Sequence, residues 1–104
     1  MTSTDRRLKL SARLHEMFPS INIYYDPLES VRMEYPAIVY KREKIDTMEA
    51  NNKHYIVYDR YTITDIRKNA DDEVLDALDG MPNTYHERPF IKDDLHHDTF
   101  TTYI

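Results

Sequence analysis

At 104 residues, with 40% hydrophobic and 32% charged side chains, the chain has the size and balance of one folded domain, not of a disordered segment. It contains no cysteine, which excludes disulfides and thiolate metal sites. Its single glycine, Gly80, excludes the glycine-repeat loops that cradle phosphates and dinucleotides. The formal net charge of −5 weighs against nucleic acid as the main partner, and no apolar run approaches the roughly 20 residues that span a bilayer. The N-terminal stretch lacks an apolar run with a small-residue cleavage site, so the expectation is a protein that is neither exported nor membrane-bound.

Residues 4–18 carry Leu10, Leu14, Met17 and Phe18 at helical spacing, with Leu8 and Ala12 nearby, and predict an amphipathic helix. Ser3 or Thr4 is placed to cap it, and Asp5 suits the positive end of its dipole. Arg6, Arg7, Lys9 and Arg13 read as its solvated side, and Pro19 ends it. Residues 21–25 predict a short strand, broken at Asp26-Pro27, and 26–36 a polar connection ending in Tyr35-Pro36. Residues 37–43 predict a second strand, with Ile38 and Tyr40 on one face and Val39 and Lys41 on the other.

Residues 44–53, KIDTMEANNK, lose that alternation and predict a loop, longer than most hairpin loops and of the kind that carries contacts. Residues 54–67, HYIVYDRYTITDIR, give the strongest strand signal. Fully extended they would span roughly 45 Å, so the strand either bends or projects from the sheet with its partner. Residues 71–79 predict a second helix, capped by Asp71 or Asp72, with Val74, Leu75 and Leu78 inward. Gly80 is placed as a left-handed terminator, with Pro82 beyond it. Residues 84–92 predict a fourth strand in which Pro89 marks an edge or bulge. Asp93-Asp94 is a turn, and 96–104 the last strand. The order α-β-β-β-α-β-β predicts a single α+β domain: a small mixed or mostly antiparallel sheet with two helices packed on it, and a long hairpin over 37–67.

Candidate chemistry is sparse. His96, His97 and Asp98, with Asp93 and Asp94, are the residues to consider for a metal, but neighbouring histidines on a strand point to opposite faces. Asp59 and Asp65 share a face of one strand roughly 20 Å apart, too far for a carboxylate dyad or a two-metal pair. His54 and His86 lack a Ser or Cys nucleophile in a recognisable setting. No catalytic residue, metal ligand or cofactor is therefore assigned. The nine tyrosines suit strands, and they also suit protein contacts, where Tyr and Arg bury area while keeping a polar handle. Charge is uneven as well. Residues 1–68 hold twelve Lys/Arg against ten Asp/Glu, a balance of +2, and residues 69–104 hold two against nine, a balance of −7. A basic front and an acidic rear are either two solvated faces or the complementary faces of a head-to-tail contact.

The segments EYPAIVYKRE, ANNKHYIVYDRYTITDI and RPFIKDDLHHDTFTTYI, together with the order of elements from Arg6 to Ile104, resemble the small tail-completion proteins of long-tailed bacteriophages. These are the tail-terminator and tail-to-head joining proteins. The resemblance implies a non-enzymatic virion protein, assembled in the host cytoplasm and placed at the head-proximal end of the tail. It would form a ring, commonly of six subunits, that caps the tail tube and meets the head connector. Its partners would be other copies of itself, the tail-tube protein and a head-completion or connector protein, with DNA passing through the ring without sequence-specific contact. On this reading the contact residues are Arg6, Arg7 and Arg13 of the first helix; Lys44, Asp46, Met48, Glu49, Asn51 and Asn52 of the 44–53 segment; Tyr55, Tyr58 and Arg60 of the following strand; and Asp93 and Asp94. Two other readings stay open: a small metal-dependent enzyme using His96, His97 and the nearby aspartates, and a general protein-binding adaptor.

Overall fold

A computed structural model describes residues 2–50 and 54–104, the side chains at 47–50 and 54–57 excepted. The chain is α+β. Helix α1 (Ser3–Met17) is followed by strands β1 (Asn22–Tyr25), β2 (Ala37–Ala50) and β3 (His54–Arg67), helix α2 (Glu73–Asp79), and strands β4 (Thr84–His86), β5 (Phe90–Lys92) and β6 (Leu95–Tyr103). The order is the expected one, with the fourth strand interrupted around Pro89 into β4 and β5, which pair in turn with the two ends of β6. Proline has no N–H to give a ladder, so the break falls where it is needed least, on an outer strand.

The sheet runs β1-β2-β3-β6-β4, with β5 also on β6. Among the described residues only β1 and β2 are parallel, and the other pairings are antiparallel. Residues opposite one another in a ladder share a face. Ile38 is opposite Asp65, Tyr40 opposite Ile63, Ile63 opposite Phe100, and Tyr61 opposite Thr102. That face packs against Leu10, Leu14 and Phe18 of α1, Val74 and Leu78 of α2, and Met81, which together form the core. Both helices therefore cover one side of the sheet. The other side shows Val39, Lys41, Thr62, Thr64, Thr99, Thr101 and Tyr103 as half-buried or exposed side chains.

Each helix start has its own cap. In α1 the cap is Thr2, one residue earlier than the sequence suggested. Its hydroxyl accepts from Asp5 N–H at 3.1 Å, while the Asp5 carboxylate accepts from Thr2 N–H at 2.9 Å, a reciprocal capping box. In α2 the cap is Asp72, which accepts from Leu75 N–H at 2.8 Å. Gly80 is not left-handed: its φ is −84° and ψ −5°. The chain instead turns through Met81 N–H to the Leu78 carbonyl, and the left-handed residue is Asn83 at φ 55°. Asp93 and Asp94 do form the expected turn. Both have positive φ, 54° and 62°, and they join paired Lys92 and Leu95 in the two-residue hairpin turn that matches strand twist.

The largest departure from the sequence reading lies at 44–53. Residues 44–50 are not a loop but the second half of β2, in ladder with β3 out to Ala50 opposite His54; Asn51 and Asn52 lie outside the described residues. The β1 ladder ends at Tyr40 and the β6 ladder at Arg60, opposite Lys44, with Asp59 and Ile104 still exchanging backbone hydrogen bonds, so beyond Ile45 the hairpin continues as a two-stranded ribbon. An extra residue, Glu43, interrupts the register between Arg42 and Lys44, and a bulge of this kind bends and twists a strand where it leaves a sheet. The result is elongated, 50 × 25 × 24 Å, with a radius of gyration of 14.8 Å against about 13 Å for a globular chain of this length.

Candidate assembly surfaces and two buried charge clusters

The expected contact residues fall into three separate places. On α1, Arg13 is exposed, and Arg7 is half-buried with its guanidinium 4.9 Å from the centre of the Tyr25 ring. Arg6 does not belong with them. It is 7% exposed and its Nε donates to Asp59 Oδ1 at 3.0 Å. Its position in the helix turns it toward β3, where a buried carboxylate needs a cation. On the ribbon, Lys44 pairs with Asp46 at 3.0 Å on the surface, Arg60 is half-buried, and Tyr58 meets Tyr103 edge to face at 5.7 Å. Met48, Glu49 and Tyr55 are placed on the ribbon by their backbones, Glu49 opposite Tyr55, and their side chains lie outside the described set. Asp93 and Asp94 sit exposed at the β5–β6 turn.

Tyr58, Tyr85 and Tyr103 gather on the face away from the helices, with Tyr85 and Tyr103 edge to face at 6.2 Å. With Asn83 and Ile104 they line a shallow depression of about 390 Å³. On the covered side, exposed Asp71, Glu73, Asp76 and Asp79 make α2 acidic, while on α1 exposed Lys9 and Arg13 are flanked by exposed Asp5 and Glu16.

His96 and His97 point to opposite faces as expected: His97 stacks on Phe90 at 4.7 Å, while His96 is opposite Arg67 in the ladder. Among the described residues no group of three or more His, Asp or Glu is placed to hold a metal ion.

What the sequence reading missed is a pair of buried charge clusters on the helix-facing side of β3. The first centres on Asp59, 0% exposed. It accepts from Ser3 Oγ at 2.6 Å, Arg6 Nε at 3.0 Å and Arg42 Nε at 3.1 Å. Arg42 Nη2 also donates to the Ser3 carbonyl at 3.0 Å. The cluster ties the start of α1 to the base of the ribbon. Burial pushes the Asp59 carboxyl up, but the hydrogen bonds from Ser3, Arg6 and Arg42 outweigh it and hold Asp59 below the usual carboxylate range.

The second centres on Arg67, 3% exposed. Its guanidinium meets three carboxylates: Asp98 at 2.6 Å, Asp65 at 3.2 Å and the α2 cap Asp72 at 3.6 Å. It also donates to the Ala70 carbonyl. His86 Nε2 lies 2.7 Å from the other Asp98 oxygen, so Asp98 has two partners. Hydrogen bonds from His86 and Arg67 overcome its burial and hold its carboxyl below the usual range. Asp65 is left with the least. Neither of its oxygens accepts a hydrogen bond among the described residues, and its contact with Arg67 Nη1 is off hydrogen-bond direction. One signal could have found both clusters: Asp59 and Asp65 share the parity of Tyr61 and Ile63, so burying those two residues buries the aspartates as well.

No family model matches the chain, and neither a curated protein nor a solved structure matches it.

Proposed function

We propose that this protein is a structural component of a phage tail, acting at the head-proximal end as a ring that caps the tube or joins it to the head connector. The observation that carries this reading is the ribbon at the far end of β2 and β3, a projecting arm with no other sheet neighbour among the described residues past Ile45. A monomeric domain gains little by holding two strands out in water, because an isolated two-stranded hairpin is marginal by itself. Such an arm is useful for reaching a neighbour. The resemblance of the 34–43, 50–66 and 88–104 segments to tail-completion proteins supplies the neighbour: another copy of the chain, the tube or the connector.

Around a ring every contact repeats head to tail, which requires two different surfaces that fit each other. The exposed Lys9–Arg13 pair of α1, flanked by Asp5 and Glu16, and the acidic exposed face of α2, with Asp71, Glu73, Asp76 and Asp79, are such a pair. The arm, with Lys44 and Asp46 near its base, would meet the tube or connector. Arg6 has no part in the contact, because it is committed to Asp59.

The test is to measure assembly size with and without purified tail tubes. The expected result is a ring-sized species on the tube ends. Reversing the α1 charges (Lys9→Glu with Arg13→Glu) is expected to abolish it while moving monomer stability by less than about 1 kcal/mol. A chain that remains monomeric and never associates with tubes contradicts the reading.

A further inference from the structure

We propose that Asp65 is a buried proton-binding site, and that the proton it holds locks the start of α2 onto the sheet. Asp65, Asp98 and Asp72 all face one guanidinium, that of Arg67. Asp98 uses the best of that guanidinium and also has His86. Asp72 has the Leu75 amide. Asp65 is 1% exposed and both of its oxygens lack a hydrogen bond among the described residues. A buried anion without hydrogen bonds, beside two other carboxylates, is strongly disfavoured. A proton on Asp65 removes the surplus charge and creates the missing donor, which is directed at Asp72.

The groups that face Asp65 come from β2, β6, β4 and the start of α2. From β2 the opposite residue is Ile38, which is apolar. From β6 it is Asp98, with His96 opposite Arg67 one pair further along. From β4 comes His86, through Asp98. From α2 and the segment before it come Asp72, Glu73 and Lys68, which line a depression with Arg67, and Asp71, which lines a second one with His96, His97 and Asp98. Apart from Arg67, no cation in this set bonds Asp65. Burial first, then the facing Asp72 and Asp98 carboxylates against the pull of Arg67, push the Asp65 carboxyl up to about 7. The site would therefore titrate near neutrality. Asp72 is both the α2 cap and the carboxylate facing Asp65, so loss of the proton sets two anions against each other where α2 joins the sheet. The outer face of that helix is the acidic surface described above. The inference concerns the free chain and stands or falls separately from the tail assignment.

Hydrogen exchange of the α2 amides in the wild-type monomer tests it, with rates corrected for intrinsic chemistry. Opening α2 lets Asp65 ionise in water, so protection should fall at up to tenfold per pH unit from pH 5 to 7 and level off above 7. Asp65→Asn, which mimics the protonated form, should abolish that slope and keep α2 protected at pH 8. Asp72→Asn, which keeps a capping side chain but removes the facing charge, should move the levelling-off point to lower pH. Protection of α2 in the wild type that is flat from pH 5 to 8 would overturn the proposal, as would a slope that persists unchanged in Asp65→Asn. Should Asp65→Asn fail to fold, the wild-type slope and its displacement in Asp72→Asn decide the matter.

Discussion

Asp59 and Asp65 stand on one strand, on one face, and are equally hidden from water, at 0% and 1% exposure, yet their surroundings drive them in opposite directions. Asp59 sits between Arg6 and Arg42 with the Ser3 hydroxyl on one oxygen. Asp65 shares Arg67 with two other carboxylates and accepts no hydrogen bond among the described residues. Burial raises both carboxyls; three donors reverse that at Asp59, and nothing reverses it at Asp65. Depth alone does not decide whether a buried acid is charged. The number of donors per oxygen does.

The most severe way to break the comparison is to remove the satisfied anion. Asp59→Ala leaves the Arg42 and Arg6 guanidinium groups facing each other across an apolar gap, and is expected to cost about 3–5 kcal/mol, read from urea unfolding at pH 7. A loss under about 1 kcal/mol would show that the cluster is worth little to the fold. Asp65→Asn is expected to do the reverse. Near pH 5 it should change stability little, and near pH 8 the variant should be the more stable protein.

The pH dependence follows from the direction of each shift. Asp65 has its folded value raised, so its contribution is complete below the ordinary value of 3.8 and is lost as pH rises to about 7, on the order of 1.4 kcal/mol per unit in between. Asp59 and Asp98 have folded values lowered, so their contributions are present above 3.8 and are lost as pH falls through their folded values. Wild-type stability should therefore peak on the acid side of neutral, between about pH 4 and 6. Unfolding midpoints across pH 3 to 9 should show both limbs, with Asp65→Asn lacking the upper one. A maximum at pH 8 in the wild type would contradict the assignment.

Two backbone changes away from both aspartates give the smallest effects and set the baseline. Asp94 has φ 62°, where glycine carries no steric penalty, and Asp94→Gly is expected to stabilise by about 0.5–1 kcal/mol. Gly80 has φ −84°, and an added Cβ would come no nearer than 3.6 Å to the Asp76 carbonyl oxygen. Gly80→Ala should accordingly be neutral or stabilise by about 0.5 kcal/mol. Thermal unfolding at one fixed pH measures both.

Those two positions also show where the sequence could be read and where it could not. The order of elements, the Leu10, Leu14 and Phe18 stripe and the Asp93-Asp94 turn were legible, because each depends on a local pattern. Gly80 was misjudged by the same local logic: a glycine after a helix suggested a left-handed cap, but the chain leaves through a tighter turn and places the left-handed residue at Asn83. The stretch from Lys44 to Ala50 was illegible as a strand because KIDTMEA does not alternate apolar and polar side chains; its backbone ladder to β3 leaves no such pattern in the sequence. Arg6 read as solvated because its partner, Asp59, is 53 residues away. The Asp65 cluster assembles side chains from β3, α2, β4 and β6, a distribution that no spacing within one segment reveals.

Carbon-detected NMR titration of the aspartate side-chain carboxyls, on a single sample of the wild-type chain, tests this contrast most directly. The account predicts that the Asp65 carboxyl titrates near 7 while that of Asp59 is still ionised at pH 4 and titrates below 3.8. Two carboxyls titrating together near 4 would contradict it.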